Sequence, residues 1–237
     1  MSDAPGISIV VPALNESDHI IAALEALQPL RAGGLCEVIV VDGISSDGTA
    51  ERAVPLADVV LGASGGRGAQ LRLGAARAKG EMLVFLHVDT RLPETFAQIA
   101  QGWLEQDQDH ERWGWFALRL DAPGLHFRLI ERAIRLRSRW DRLATGDQVL
   151  FLSARLYRRT GGFEAIPLME DIQLCRRLKK ELRPEIRTEV VSTSARRWQS
   201  RGVVRTILQM WWLKLAFLMG VSPERLSRWY RGGRDQS

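Results

Sequence analysis

Two cysteines in 237 residues are too few for a disulfide framework, and Cys36 and Cys175 stand in no metal-type spacing. A reducing compartment is therefore the expectation. No low-complexity tract and no internal repeat interrupts the chain, which excludes solenoid and disordered architectures. Long hydrophobic runs are missing as well. The most apolar stretch, Ile207 to Val221, is broken by Lys214 and falls short of the roughly 20 residues needed to span a bilayer. It reads as a buried or interfacial helix. Met1 to Gly6 has neither a basic region nor an apolar core, so no signal peptide is expected and the cytoplasm is the expected location. An acidic excess is absent too, because the formal net charge is +5 and Arg far outnumbers Lys. A basic surface suits phosphates, anionic lipid and nucleic acid alike and does not choose among them.

What is present is an ordinary globular composition, 46% hydrophobic and 26% charged, in a chain long enough for a substantial core. The first half alternates in the way that predicts a mostly parallel α/β sheet with covering helices. Apolar runs at Ile7–Val11, Glu37–Val41, Val59–Leu61 and Met82–Leu86 predict four strands. Helices are expected from Ser17 to Leu27, from near Asp47, over Arg67 to Lys79 with Gly80 as the stop, and from Pro93 to about Gln106. The later half predicts strands at Trp113–Leu120, Gln148–Leu152 and near Glu189–Val191. It also predicts an Arg-rich helix Leu125–Leu143, a helix opened by Glu170-Asp171 and running to about Leu182, and an apolar helix Val203–Gly220. No linker divides the chain, so one continuous domain is expected.

Chemistry gathers where strands end. The first strand leads into Pro12-Ala13-Leu14-Asn15-Glu16, the second into Asp42-Gly43-Ile44-Ser45-Ser46-Asp47-Gly48-Thr49, and the fourth closes on His87-Val88-Asp89. Ligands of open α/β sheets bind at the carboxyl ends of the strands. Each turn alone reads as a helix cap or tight turn. Three on one sheet edge bring Asp42, Asp47 and Asp89 together, and such carboxylates repel unless a cation or donor groups compensate. A divalent metal would do so and would also bridge phosphate oxygens.

In this order, Pro12-x-x-Asn15-Glu16, Asp42-Gly43-x-Ser45-x-Asp47-Gly48-Thr49, an apolar strand ending at Asp89, and Glu170-Asp171 resemble a family-two glycosyltransferase of the GT-A type. The resemblance covers roughly residues 6 to 200, and Gly66-Arg67-Gly68-Ala69-Gln70, Leu86-His87-Val88-Asp89-Thr90 and Thr145-Gly146-Asp147-Gln148 resemble one bacterial subgroup with His-x-Asp in place of Asp-x-Asp. It implies an inverting transfer of a sugar from a nucleotide-diphosphate donor, UDP favoured, to an unknown hydroxyl acceptor, assisted by Mg²⁺ or Mn²⁺. Residues 6–110 would form the nucleotide-binding half and 111–200 the acceptor half, with 201–237 a C-terminal helix and basic tail.

Carried over residue by residue, the resemblance implies that the turn Pro12 to Glu16 cradles base and ribose, with Asn15 in that turn and Glu16 on the ribose. Asp42 would bond the uracil ring, with Asp47 in the same donor loop. Asp89 would ligate the metal on the diphosphate, and Asp171 would be the general base with Glu170 beside it. Arg67 and Gln70 open a helix whose N-terminus suits phosphate, and Asp147 and Gln148 would face donor sugar or acceptor. The departure is His87, which stands where most members carry an Asp. A neutral imidazole suits Mn²⁺ better than Mg²⁺, and a ribose hydrogen bond or a space-filling role is expected for it ahead of metal ligation. Trp198 stands where processive relatives carry Q-x-x-R-W, but the rest of that element is absent, which argues against a polysaccharide synthase.

Two other readings compete. A nucleotidyltransferase would open with a Gly-rich loop ending in Arg or Lys after its first strand, and Pro12–Glu16 is no such loop. A non-catalytic basic domain binding nucleic acid would need a reader motif, and none is present, so no nucleic-acid partner is expected. The Arg-rich helix and the Trp-rich helix together suggest peripheral membrane contact or a homodimer.

Overall fold

The computed structural model describes residues 5–106, 111–196 and 203–232. Its strands are β1 (Ile7–Ala13), β2 (Cys36–Asp42), β3 (Val59–Gly62), β4 (Met82–Phe85), β5 (Thr90–Arg91), β6 (Trp113–Asp121), β7 (Leu150–Ser153) and β8 (Glu185–Ser194). They form one sheet in the order β3-β2-β1-β4-β7-β6-β8-β5. The pairs β1/β2, β1/β4, β2/β3 and β6/β8 are parallel. Strand β7 runs antiparallel to both β4 and β6, so β6 and β8 run the same way as β4. The carboxyl ends of β1, β2, β4, β6 and β8 therefore open on one edge. That edge is where the sequence places its polar turns.

Alternation along the strands sends side chains to two cores. Ile7, Ile9, Val11 and Ala13 join Val38, Val40, Val84 and Phe116 on one face, covered by α1 (Ile20–Glu25), α5 (Phe96–Leu104) and α6 (Leu125–Asp141). Val10, Ile39, Val41, Leu83 and Phe85 face the other way, beneath α4 (Arg67–Arg77) and α8 (Glu170–Glu181). Central strands buried on both faces need the near-continuous apolar runs seen at β1, β2 and β4. Both free thiols are buried, and burial pushes each up to about 12, so they are inert packing groups.

Several elements differ from the pattern-based expectation. The helix expected from Ser17 begins only at Ile20, because the Ser17 N–H is already bound by Asp47 (3.0 Å) and the chain turns there through Glu16. The strand expected to start at Gln148 starts at Leu150, and Gln148 closes a 3₁₀ turn. The last strand is ten residues long rather than three. Its first half is polar, Arg187 lying between Glu185 and Glu189, and conceals the strand period. Helix α7 (Ala154–Arg159), α3 (Thr49–Ala53), α2 (Gln28–Ala32) and the final helix Pro223–Gly232 complete the fold with the helix Val203–Leu218. Among the described residues no helix is long and apolar enough to cross a membrane.

Candidate active site

The turns after β1 and β2 are two loops stitched to each other. Asn15 N–H donates to Ser45 Oγ (2.9 Å), Ser46 N–H donates to Asn15 Oδ1 (3.0 Å), Glu16 N–H donates to Thr49 Oγ1 (2.9 Å), and Ser17 N–H donates to Asp47 Oδ2 (3.0 Å). Beneath them the Gln70 amide donates to both Ala13 O and Val41 O at 2.8 Å. Two parallel strands that have run out of ladder are thus held together past their ends. Pro12, buried inside β1, lacks an N–H, and β1–β4 pairing has already stopped at Val10.

Of the two kinds of compensation expected for these carboxylates, donor groups serve Asp42 and Asp47. Asp42 accepts from the Ser45 N–H and hydroxyl, and Asp47 accepts from Thr49 and Ser17. Those bonds, Thr49 foremost, hold the Asp47 carboxyl well below the usual carboxylate range. Among the described residues no three His, Cys, Asp or Glu side chains gather as a metal site. Gln70 is buried with its amide nitrogen committed to backbone. Gln148 is also buried, its Oε1 accepting from Thr145 N–H (3.2 Å) and its amide donating to Ser138 Oγ (3.3 Å). Both residues shape the site rather than line it.

The second cluster is electrostatic. Helix α4 begins against the loop before α8, where Gly68 leaves no room for a Cβ beside the Glu164 and Ile166 backbone. That contact delivers Arg67 Nε onto Glu170 Oε1, a pair in which Glu170 is 1% exposed. Burial opposes the Arg67 charge, but Glu170, Asp171 and Asp147 outweigh it and hold the guanidinium firmly protonated. Asp171, 8% exposed, accepts from Gly146 N–H (2.9 Å) and Ile172 N–H (2.7 Å). Desolvation, then the Glu170 charge, raise its carboxyl, while Arg67 and the two N–H groups pull it back, and the balance lies upward at about 6.

Gly146 also meets the His87 ring, since a Cβ there would lie 2.5 Å from its Cε1 and Nε2. His87, the Thr145–Gln148 turn, Asp171, Glu170 and Arg67 therefore form one contiguous wall. Asp89 sits at the β4–β5 turn, its carbonyl accepting from Ser194 N–H (3.0 Å). Backbone strain marks both clusters: Val149 and Met169 beside this wall and Asn15 and Ile44 in the β1 and β2 turns all adopt positive φ, and for β-branched Ile44 and Val149 that conformation is costly.

Two groupings were not foreseen from sequence. Arg196, just past β8, lies 3.8 Å from Glu16 and donates to His19 Nε2, so the end of the second half reaches over the donor loop. Arg91 and Arg119 both stand opposite Ser192 in the ladder, which puts the three in one row on one face of the β5–β8–β6 surface. Neither guanidinium is paired among the described residues. Arg119 and Ser192 line a cavity of about 670 Å³ together with Asp121, Pro123, Arg128 and Val190. No sequence motif marks that row, because its members are brought together only by strand register. Arg197 and Trp198 lie outside the described residues.

A parallel first half continued by a mixed half on one sheet, with polar turns at the shared edge, defines a GT-A fold. Residues 8–161 match the model of glycosyl transferase family 2, and the chain belongs to that family. A glucosyl-3-phosphoglycerate synthase of Mycolicibacterium paratuberculosis is 34% identical over 92 residues, covering 35% of this chain and 28% of that protein. A Mycobacterium tuberculosis protein named as an uncharacterized glycosyltransferase is 29% identical over 130 residues, 48% of this chain and 46% of its own. The matched stretches thus span less than half the length of those relatives. Among solved structures, a Pyrobaculum calidifontis mannosyltransferase in complex with GDP-Man and Mn²⁺ superposes with a TM-score of 0.62 at 19% identity, covering 90% of this chain and 61% of that one. The M. tuberculosis glucosyl-3-phosphoglycerate synthase with Mn²⁺, UDP and glucosyl-3-phosphoglycerate gives 0.60 at 23% identity, covering 86% and 78%. At these identities the likeness is one of fold.

Proposed function

We propose that the chain transfers a glycosyl group from a nucleotide-diphosphate sugar, UDP-linked by preference, to an acceptor hydroxyl with inversion at the anomeric carbon. The observation that carries this reading is Asp171. It is a carboxylate raised toward neutrality, pinned by the Gly146 N–H and set against the wall that contains His87. Its remaining lone pairs accept the acceptor's proton as the hydroxyl oxygen bonds to the anomeric carbon. The carbon–oxygen bond to the diphosphate breaks, and its electron pair leaves with the diphosphate. With one base and no enzymic nucleophile the displacement is direct. Arg67 and Glu170 hold the base's surroundings fixed.

On the donor side, Glu16 takes the ribose and the Asn15–Asp42–Asp47 loop pair takes the base, with Arg67 and Asp147 facing the phosphates and sugar. Residues 6–110 form this half and 111–200 the acceptor half of one domain, acting in the cytoplasm. The donor set fits a divalent ion that arrives with its substrate. Such ions are held by one or two carboxylates plus phosphate oxygens, and Asp89 in the β4–β5 turn would be the carboxylate that holds it, since among the described residues no three-residue cage forms. When bound, Mg²⁺ or Mn²⁺ neutralises charge on the leaving diphosphate. On the acceptor side, the row Arg91–Ser192–Arg119 and its cavity favour an acceptor bearing an anionic group, with Asp121 placed to accept from its hydroxyls. The relatives named for phosphoglycerate are consistent with that chemistry.

The test is thermal shift with UDP, GDP, CDP and dTDP sugars, with and without Mn²⁺ or Mg²⁺, on wild type and Asp89→Ala. A native-state ligand at 100 times its Kd stabilises by about 2.7 kcal/mol. A metal-dependent shift with one nucleotide that vanishes in Asp89→Ala supports the donor site. No shift with any nucleotide at millimolar concentration rejects it.

A further inference from the structure

The outer faces of α6 and of the helix Val203–Leu218 do not look like solvent-facing surface. On α6, Leu125, Leu129, Leu136 and Trp140 recur at intervals of four, seven and four residues, which keeps them on one side of a helix. Leu125 is 83% exposed and Trp140 is 89% exposed, with Leu129 and Leu136 exposed between them. The buried face of this helix is separate, made of Phe127, Ile130 and Ser138. The helix Val203–Leu218 repeats the pattern. Leu213, Ala216 and Phe217 are buried, while Leu208, Trp211, Trp212, Leu215 and Leu218 are exposed. A helix apolar on both sides ordinarily has both sides covered. The two helices adjoin, because Lys214 of the second is ion-paired with Asp141 at the end of the first (2.5 Å).

Charge decides what covers them. Arg132, Arg135, Arg139 and Arg142 run along the exposed side of α6 and make no ion pair among the described residues. The helix's own acids offer no counter-charge, since Glu131 is buried against Arg128 and Asp141 is held by Lys214. Between Val203 and Leu218 the sequence has Arg205 and Lys214 and no acid. A second copy of this chain would set these cations against their own kind, whereas an anionic surface would not. Trp residues at an apolar–basic boundary suit the headgroup level of a bilayer. The last helix adds exposed Arg225, Arg228 and Trp229.

We infer that α6 and the helix Val203–Leu218 form a platform that seats the protein on an anionic lipid bilayer surface, with the apolar stripe among the acyl chains and the arginines among the headgroups. The stripe starts at Leu125, two residues after Pro123 of the cavity beside Arg119, so the seated protein holds that cavity near the lipid boundary. This stands apart from the transferase reading, since binding to vesicles requires neither donor nor turnover.

Vesicle sedimentation tests it. The full chain should pellet with phosphatidylcholine vesicles containing about one-third phosphatidylglycerol, and should stay in solution with phosphatidylcholine alone or at high salt. Tryptophan emission should shift to the blue on binding. Leu136→Glu with Trp140→Glu changes only exposed side chains, so it should weaken binding at least tenfold while the melting temperature stays at the wild-type value. Equal recovery in the supernatant with and without anionic vesicles overturns the inference. A dimer in sedimentation velocity that the same two substitutions dissociate overturns it too, because a second copy would then be the occupant.

Discussion

The two halves of the sheet treat their polar groups in opposite ways. On the donor side nearly every carboxylate, amide and hydroxyl of the β1 and β2 turns is already bound to another part of the protein. In the other half Arg91, Arg119 and the outer arginines of α6 have no protein partner among the described residues, and apolar helix faces stand uncovered. The first half is finished before any ligand arrives, and the second waits for what it meets. Pre-set polar groups reduce the reorganisation needed on binding. Uncommitted ones leave room for partners that differ between otherwise similar proteins.

The sharpest way to break this contrast is at the wall where the halves meet. Replacing Asp171 with Asn should lower kcat by about 10²–10⁴-fold while donor-induced thermal shift survives. In the wild type the rate should rise as pH climbs through about 6, and that limb should be absent in the variant. Stability moves the other way. A carboxyl raised above its ordinary 3.8 stabilises the fold fully below that value, and its contribution fades as pH rises through about 6. Melting curves across that window, compared with Asp171→Asn, check the sign.

Arg67→Ala leaves Glu170 buried without its partner and should cost about 3–5 kcal/mol. It should also move the activity limb to higher pH, because Arg67 is one of the groups that pull Asp171 down. Adding Glu170→Gln should recover part of the stability, and denaturant unfolding of both variants measures this. Gln70→Ala removes one donor from each of two buried carbonyls, Ala13 O keeping the Gly43 N–H, a loss of about 1 kcal/mol. It should weaken donor binding without moving the pH profile. The smallest effect belongs to the open half. Arg119→Ala should leave stability and donor affinity unchanged, and should raise the KM of an anionic acceptor about tenfold, the equivalent of 1.4 kcal/mol. A matching loss of donor affinity would show that the halves are not separate.

Much of the donor half was legible in the sequence. Strand-to-turn transitions at Ala13, Asp42 and Asp89 announced the edge, because apolar runs and polar turns are local signals. What the residues at those turns do was less legible. Asp47, Gln70 and Gln148 carry side chains that suit a ligand, yet all three are held by the protein itself: Gln70 by two strand carbonyls that only register brings to it, Asp47 by Ser17 across the turns as well as by Thr49, and Gln148 by the Thr145 turn and Ser138. The Arg91–Ser192–Arg119 row was hidden for the same reason, its members lying on three strands far apart in the chain. The exposed apolar faces were the reverse case. Their composition was plain, but only the fold shows which side of each helix is left bare.

The stitching of the two donor turns also bears on how the chain assembles. Every one of its bonds joins residues at least 30 positions apart, across two strands that must first find their register. A slip of one residue would turn every side chain of a strand to the opposite face, and Ser45, Asp47 and Thr49 would no longer meet Asn15, Glu16 and Ser17. No partial donor pocket exists in a misregistered chain. If these turns hold the nucleotide as proposed, nucleotide binding reports correct pairing of β1 with β2 during refolding.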